Sequence, residues 1–146
     1  KKNILLFLDI TEQKTSKILD LLKFQKKNFN KIYFKCHPTI SPIELAKKYK
    51  FASPFEYTKH KFNFVITDNN TTSIYVPCYL KTDFLVYKKN NFFNLCPLLG
   101  INDNTKYFHD SNELSNLLKK KNYFKFDKDF HILNNDVVNW KKLLKI

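Results

Sequence analysis

Four residues, Lys35-Cys36-His37-Pro38, follow a short apolar run rich in β-forming residues, positions 31–34. A lysine and a histidine at the end of a strand present two hydrogen-bond donors to an anion, and the proline ends the strand. In an open α/β sheet, ligands bind in the crevice beyond the carboxyl ends of the strands. We therefore expect Lys35 and His37 to bind a phosphate. The alternative is an ordinary strand-end histidine whose ring is satisfied by a backbone carbonyl.

Two further segments carry groups that bind phosphate. The first is Asn70-Thr71-Thr72-Ser73, where hydroxyls and backbone amides at the start of a helix would form an anion site. Capping alone is the alternative, although it accounts for one hydroxyl and not for three. The second is the loop from Asn94 to Gly100, which contains Cys96 and the only glycine of the chain. That glycine indicates a position that needs positive φ or close approach, unless the loop is a plain turn.

Apolar periodicity predicts the elements that position these groups. Residues 3–10 form a continuous apolar run, typical of a strand buried on both faces. Helical spacing follows from a Thr11 cap to about Lys27. A second strand spans 31–36, and Ser41-Pro42 begins a helix over 42–50.

Apolar periodicity and turn residues also predict the elements in the rest of the chain. These are a short helix over 55–60, strands over 62–67, 83–87 and 105–108, and helices over 72–81 and 135–145. Asp110-Ser111-Asn112-Glu113 begins another capped helix, whose leucines Leu114, Leu117 and Leu118 face the core.

Strands that alternate with helices predict an α/β fold, a Rossmann-like parallel sheet with helices on both faces. The 146 residues correspond to one domain, 1–146, of which about 122–146 form a C-terminal extension and helix. Because the chain contains no methionine, we expect it to belong to a longer protein.

The net charge is +13, carried by 26 lysines without a single arginine. This composition indicates the codon bias of an A/T-rich genome, and a solvated lysine surface is the simplest interpretation. Nucleic-acid binding is disfavoured because it normally uses arginine for bidentate contacts. A contact with anionic lipid headgroups stays open.

Cysteine usage indicates a reducing compartment. Cys36, Cys78 and Cys96 are odd in number and lack CxxC spacing, so we expect reduced thiols in a cytoplasmic protein. No zinc-binding spacing joins them to a histidine, and we expect no metal cofactor. The longest purely apolar run, 4–8, is too short to span a bilayer. We expect His60, His109 and His131 to be surface or satisfied histidines.

The order of these motifs resembles a known enzyme group. K-x-H-P at 35–38, the hydroxyl triplet at 71–73, F-N-x-x-P-L-x-G at 93–100 and S-N-E-L-x-x-L-L at 111–118 are together similar to the C-terminal, donor-binding half of GT-B glycosyltransferases. The closer resemblance is to bacterial surface-carbohydrate transferases, the group of HP-motif sialyltransferases and Kdo transferases. It covers about residues 3–121.

The resemblance implies a role for each matching residue. His37 and Pro38 form the HP motif, in which the histidine binds the donor phosphate and stabilises the leaving nucleotide, while Lys35 adds positive charge. Asn70, Thr71, Thr72 and Ser73 would hold phosphate; Asn94 and Cys96 would border the nucleotide pocket. Cys96 stands where the family has serine, and the family's acidic ribose contact has no counterpart here.

The implied function is the nucleotide-sugar-binding half of a cytoplasmic glycosyltransferase for surface polysaccharide, peripheral on the inner membrane face. CMP-sugar is the favoured donor, a glycan the acceptor, and the catalytic base would lie on a missing N-terminal domain. Two alternatives stay open. One is a nucleotide-sugar epimerase of the same architecture, and the other is a non-catalytic basic module that binds nucleic acid through lysines and aromatics.

Overall fold

A computed structural model describes residues 2–8, 11–54, 62–69, 76–77, 82–88 and 106–122. Its six strands are β1 (Lys2–Phe7), β2 (Phe29–Lys35), β3 (Ser53–Pro54), β4 (Phe64–Asp68), β5 (Asp83–Tyr87) and β6 (Tyr107–Phe108). All pair in parallel, in the order β3-β2-β1-β4-β5-β6. The chain thus builds outward from β1 to β3 and then returns to place β4 on the other side of β1. This is the doubly wound order, and it confirms the predicted Rossmann-like α/β fold.

The continuous apolar run at the start of the chain becomes the central strand. In β1, Ile4 and Leu6 contribute to the core on one face, while Leu5 and Phe7 are buried on the other. Leu5 lies between Tyr33 of β2 and Val65 of β4. Burial on both faces explains why this strand shows no polar alternation.

Among the described residues, three helices cover one face of the sheet. They are α1 (Glu12–Gln25), α2 (Pro42–Lys48) and α3 (Ser111–Lys119). Their buried side chains join the even-numbered residues of β1 in a single apolar cluster; the helical members are Ile18, Leu19, Leu22, Leu45 and Leu114. Between β4 and β5, Val76 and Pro77 are helical and Pro77 is buried. The step from β4 to β5 runs in the opposite direction from the step from β1 to β2, so a right-handed crossover places Val76 and Pro77 on the opposite face.

Caps determine where two of these helices begin. Ser41 Oγ accepts a hydrogen bond from the Glu44 N–H at 3.5 Å, with Pro42 in the first turn as predicted. Asp110 Oδ1 accepts from the N–H groups of Asn112 and Glu113 at 2.8 and 2.9 Å. Thr11 occupies the N-cap position of α1, but its side chain makes no capping bond.

Several element bounds differ from prediction: β1 is Lys2–Phe7 where 3–10 was predicted, α2 ends at Lys48 and not at 50, and β4 is Phe64–Asp68 where 62–67 was predicted. β3 was not predicted; it has two residues, one of them a proline, which lies at the edge of the sheet where a missing N–H is tolerated. β2 begins at Phe29 and ends at Lys35, so Cys36 lies beyond it. The predicted helices over 55–60 and 135–145, and that over 72–81 except for 76–77, lie outside the described residues, as does the C-terminal extension beyond residue 122.

Candidate functional site

β2 carries the Lys35-to-Pro38 segment to the carboxyl edge of the sheet. Lys35 lies opposite Phe7 of β1, and its carbonyl accepts from the Leu8 N–H at 3.0 Å, so the two strands stay paired to their ends. Lys35 is exposed and His37 is half-buried. Both residues therefore lie at the end of the second strand, as predicted, and the structure places this strand next to the central one.

A depression of about 240 Å³ opens at this edge. Its lining residues are Phe34, Lys35, Cys36, His37, Pro38, Ile40, Pro42 and Pro54. Pro54 belongs to it because β3 places that residue opposite Phe34. The depression therefore brings together Lys35, His37 and Pro38, and combines two basic side chains with walls that are largely apolar.

Thr39 determines which nitrogen of His37 donates. Thr39 Oγ1 lies 2.9 Å from His37 Nδ1, and the Thr39 backbone N–H donates to the same nitrogen at 3.4 Å. A backbone N–H is only a donor, so Nδ1 is the acceptor and the proton of the neutral imidazole resides on Nε2. The ring partner among the described residues is Thr39 and not a backbone carbonyl. His37 thus keeps one N–H donor, at Nε2.

A turn holds His37 between β2 and α2. The Ile40 N–H donates to the His37 carbonyl at 2.9 Å, and the Cys36 thiol donates to the Ile40 carbonyl at 3.3 Å. Burial raises the pKa of the Cys36 thiol. A hydrogen bond with the backbone of Cys36 itself acts in the opposite direction and partly offsets this rise in pKa. A protonated thiol is a weak nucleophile, and the hydrogen bond to the Ile40 carbonyl gives Cys36 a structural part in the turn.

A second depression, of about 170 Å³, lies on the other side of the same turn. Glu12, Glu44 and Lys48 supply its charged lining, beside Thr39 to Ser41 and Leu45. Two carboxylates disfavour an anion there, whereas the depression with Lys35 and His37 attracts one. The sign of the charge therefore favours an anion on the His37 side of the turn.

The ends of β4 and β5 form a buried polar cluster to which the sequence assigned no role. Asp68 and Asn69 are each 2% exposed, Tyr87 is fully buried, and the Asn69 N–H donates to the Tyr87 carbonyl at 3.0 Å. Among the described residues, neither Asn69 Nδ2 nor the Tyr87 hydroxyl has a hydrogen-bond partner. Burial first, and then the charge of Asp68, raises the pKa of the Tyr87 phenol. The feature of the sequence that could have revealed this cluster is the pair Asp68-Asn69, which follows an apolar run.

The predicted convergence of three segments lies largely outside the part of the chain that the structure describes. Asn70, Thr71, Thr72, Ser73, Asn94 and Cys96 are all beyond the described residues. The end of β4, from which the hydroxyl segment continues, is separated from the end of β2 by β1 alone. Two strand spacings amount to roughly 10 Å, so a ligand at His37 is within reach of that strand end. The joint action of the segments 70–73 and 94–100 with His37 stays a prediction.

His109 is a structural histidine, as predicted. Its Nδ1 contacts the Lys88 carbonyl, and its backbone N–H donates to Glu113 Oε2 at 2.7 Å. His60 and His131 lie outside the described residues. Within the described ranges, no three His, Cys, Asp or Glu side chains are grouped as metal ligands, and no helix is both long and apolar enough to cross a bilayer.

No protein-family model matches the chain, and no curated protein is significantly similar to it. The function is therefore inferred from the fold, from the groups around His37 and from the resemblance of the motifs.

Proposed function

We propose that this chain is the donor-binding domain of a glycosyltransferase that uses a nucleotide sugar, with CMP-sugar favoured, in the synthesis of surface polysaccharide. His37 binds the donor phosphate and Lys35 adds positive charge beside it. The observation that carries this proposal is the pairing of Thr39 with His37 Nδ1, which leaves Nε2–H as the donor of a ring that lines the same depression as Lys35.

The chemistry follows from where charge develops. When the glycosidic bond to the nucleotide breaks, the departing phosphate gains negative charge. A donor aimed at that phosphate stabilises the transition state more than the ground state. The Nε2–H of His37 supplies such a donor and the Lys35 ammonium strengthens the local field. The acceptor is a glycan hydroxyl, and its proton would go to a base on a separate N-terminal domain.

The shape of the depression suits a phosphate that is attached to a larger group. Phe34, Ile40 and the prolines provide apolar walls for a base or for one face of a sugar, while the basic residues take the anion. Among the described residues that line it there is no carboxylate. An epimerase of this architecture would use acidic residues in its cleft, so the lining favours the transferase.

Thermal unfolding with and without ligand tests the proposal. We expect CMP to raise the Tm, since a ligand at a hundred times its Kd stabilises a protein by about 2.7 kcal/mol. His37→Asn should abolish most of that shift and Lys35→Gln should reduce it. Lys31→Gln is the matched control, because it removes the same charge near the other end of β2, on an exposed side chain outside the depression.

UDP and single-stranded DNA complete the experiment. A larger Tm shift with UDP than with CMP would mean that the donor is a UDP-sugar, and the glycosyltransferase proposal would still stand. Salt-sensitive binding of DNA that is indifferent to His37→Asn, without a nucleotide shift, would refute the proposal and support the basic nucleic-acid module.

A further inference from the structure

The exposed side of α1 carries an aromatic residue within a group of lysines. Phe24, in the last turn of the helix, has 70% of its surface exposed. The core side of α1 consists of Ile18, Leu19, Leu22 and Gln25, which are buried, so Phe24 lies on the opposite side. Lys17, Lys23, Lys26 and Lys27 are exposed on α1 and on the 3-10 turn Lys26–Asn28.

We infer that this Phe24 patch, Phe24 with those four lysines, binds the surface of an anionic phospholipid bilayer. Between residues 17 and 27 the four lysines are accompanied by a single acid, Asp20, which gives a net charge of +3. Each lysine near an anionic leaflet strengthens binding by roughly five-fold. An exposed phenylalanine adds to this by burying its ring at the boundary between headgroups and acyl chains.

Two other partners fit the patch less well. The core of a protein interface joins several apolar residues, whereas Phe24 and Ile43 are the large apolar side chains exposed among the described residues, and they lie on different helices. Nucleic acid is normally bound by arginines and by successive aromatic rings, and the patch has one ring and no arginine. A bilayer requires neither a cluster of apolar residues nor arginines with successive aromatic rings.

The patch and the His37 depression lie at opposite ends of β2. Lys26–Asn28 lead directly into Phe29, the first residue of β2, while His37 follows its last residue, Lys35. Six residue steps along a strand span roughly 20 Å. A membrane at Phe24 therefore leaves the His37 edge accessible, and this inference does not depend on the proposed glycosyltransferase function. His37→Asn should bind vesicles as the unaltered protein does.

Co-sedimentation of the 146-residue chain with vesicles tests the inference. We expect binding to phosphatidylglycerol–phosphatidylcholine vesicles that weakens with added salt, and little binding to phosphatidylcholine alone. Lys23→Gln with Lys27→Gln should lower the partition coefficient about 25-fold. Phe24→Ser should lower it roughly ten-fold. Since these side chains are exposed, an unchanged Tm is expected and confirms that each variant is folded.

Matched variants separate the patch from the overall charge. Lys119→Gln with Lys120→Gln removes two exposed lysines from the end of α3, and Ile43→Ser removes the exposed isoleucine of α2; both should leave vesicle binding unchanged. An equal loss in the α3 variant would mean that net charge alone attracts the protein, and would overturn the inference. So would absence of anionic-vesicle binding, or RNA binding that Phe24→Ser abolishes while vesicles are not bound.

Discussion

Thr39 holds one nitrogen of the His37 imidazole, with its hydroxyl 2.9 Å from Nδ1 and its backbone N–H donating to the same atom. The two residues are separated by Pro38 alone, and the turn between them is closed by the Ile40 N–H on the His37 carbonyl. The ring is thereby oriented before any ligand binds. A preoriented donor loses less conformational freedom when it binds an anion.

Replacing Thr39 tests this orientation. Thr39→Val keeps the shape of the side chain and the backbone N–H but removes the hydroxyl, so the imidazole should rotate more freely and its Nε2–H should be less well placed. We expect CMP to bind about five-fold more weakly, equivalent to one hydrogen bond of about 1 kcal/mol. Isothermal titration calorimetry measures this change.

Thr39→Ser is the control for that variant, because it restores the hydroxyl and should bind CMP as the unaltered protein does. If both variants bind equally well, the hydroxyl has no part in positioning His37.

Alkaline pH should destabilise the fold through two groups, the half-buried Cys36 and the buried Tyr87. Burial raises the pKa of Cys36 above its ordinary value of 9.0, and burial together with Asp68 raises that of Tyr87 above 10.0. The unfolded chain loses these protons at lower pH than the folded one. The stabilisation is therefore complete below the ordinary pKa values and is lost as the pH rises through them toward the folded values.

Urea unfolding between about pH 7 and pH 10.5 measures this loss. Tyr87→Phe should make the decline shallower in the upper part of that range, and Cys36→Ala should do so from about pH 9 upward. At pH 7, Tyr87→Phe should cost little, since the hydroxyl it removes has no hydrogen-bond partner among the described residues. A decline that is equally steep in both variants would show that other groups cause it.

The two helix caps should differ in strength. Asp110 accepts two short hydrogen bonds from the first turn of α3, whereas Ser41 accepts one at 3.5 Å. Asp110→Ala should lower the free energy of unfolding by about 1–2 kcal/mol, and Ser41→Ala by about 0.5 kcal/mol. Urea denaturation at pH 7 compares them, and Asp110→Asn, which keeps an accepting oxygen, should retain most of the stability. Equal losses in the two alanine variants would contradict the geometry.

The sheet could be predicted wherever an apolar run was long enough to identify a strand. β5 has the predicted bounds, Asp83–Tyr87, because four consecutive β-forming residues, 84–87, lie between Asp83 and Lys88. β3 could not be predicted, because Ser53 and Pro54 have no strand pattern of their own. They are extended through their pairing with Tyr33 and Phe34 of β2.

Part of the candidate site could likewise be predicted from the sequence, and part could not. Lys35, His37 and Pro38 were identified from their position after a strand, which is a local property of the chain. Pro54 as a wall of the depression depends on a neighbouring strand. Asp68 and Tyr87 are 19 positions apart and become neighbours through the parallel register of β4 and β5.

By itself, the amino-acid sequence determined the alternation of strands and helices, the exposure of lysines and the position of His37 beyond an apolar strand. These follow from burial periodicity and turn chemistry, which act over a few residues. Tertiary structure alone decided the strand order and the side of the turn on which basic and acidic groups gather. Such features depend on distances between segments that are remote in the chain, and those distances exist only once the sheet has paired.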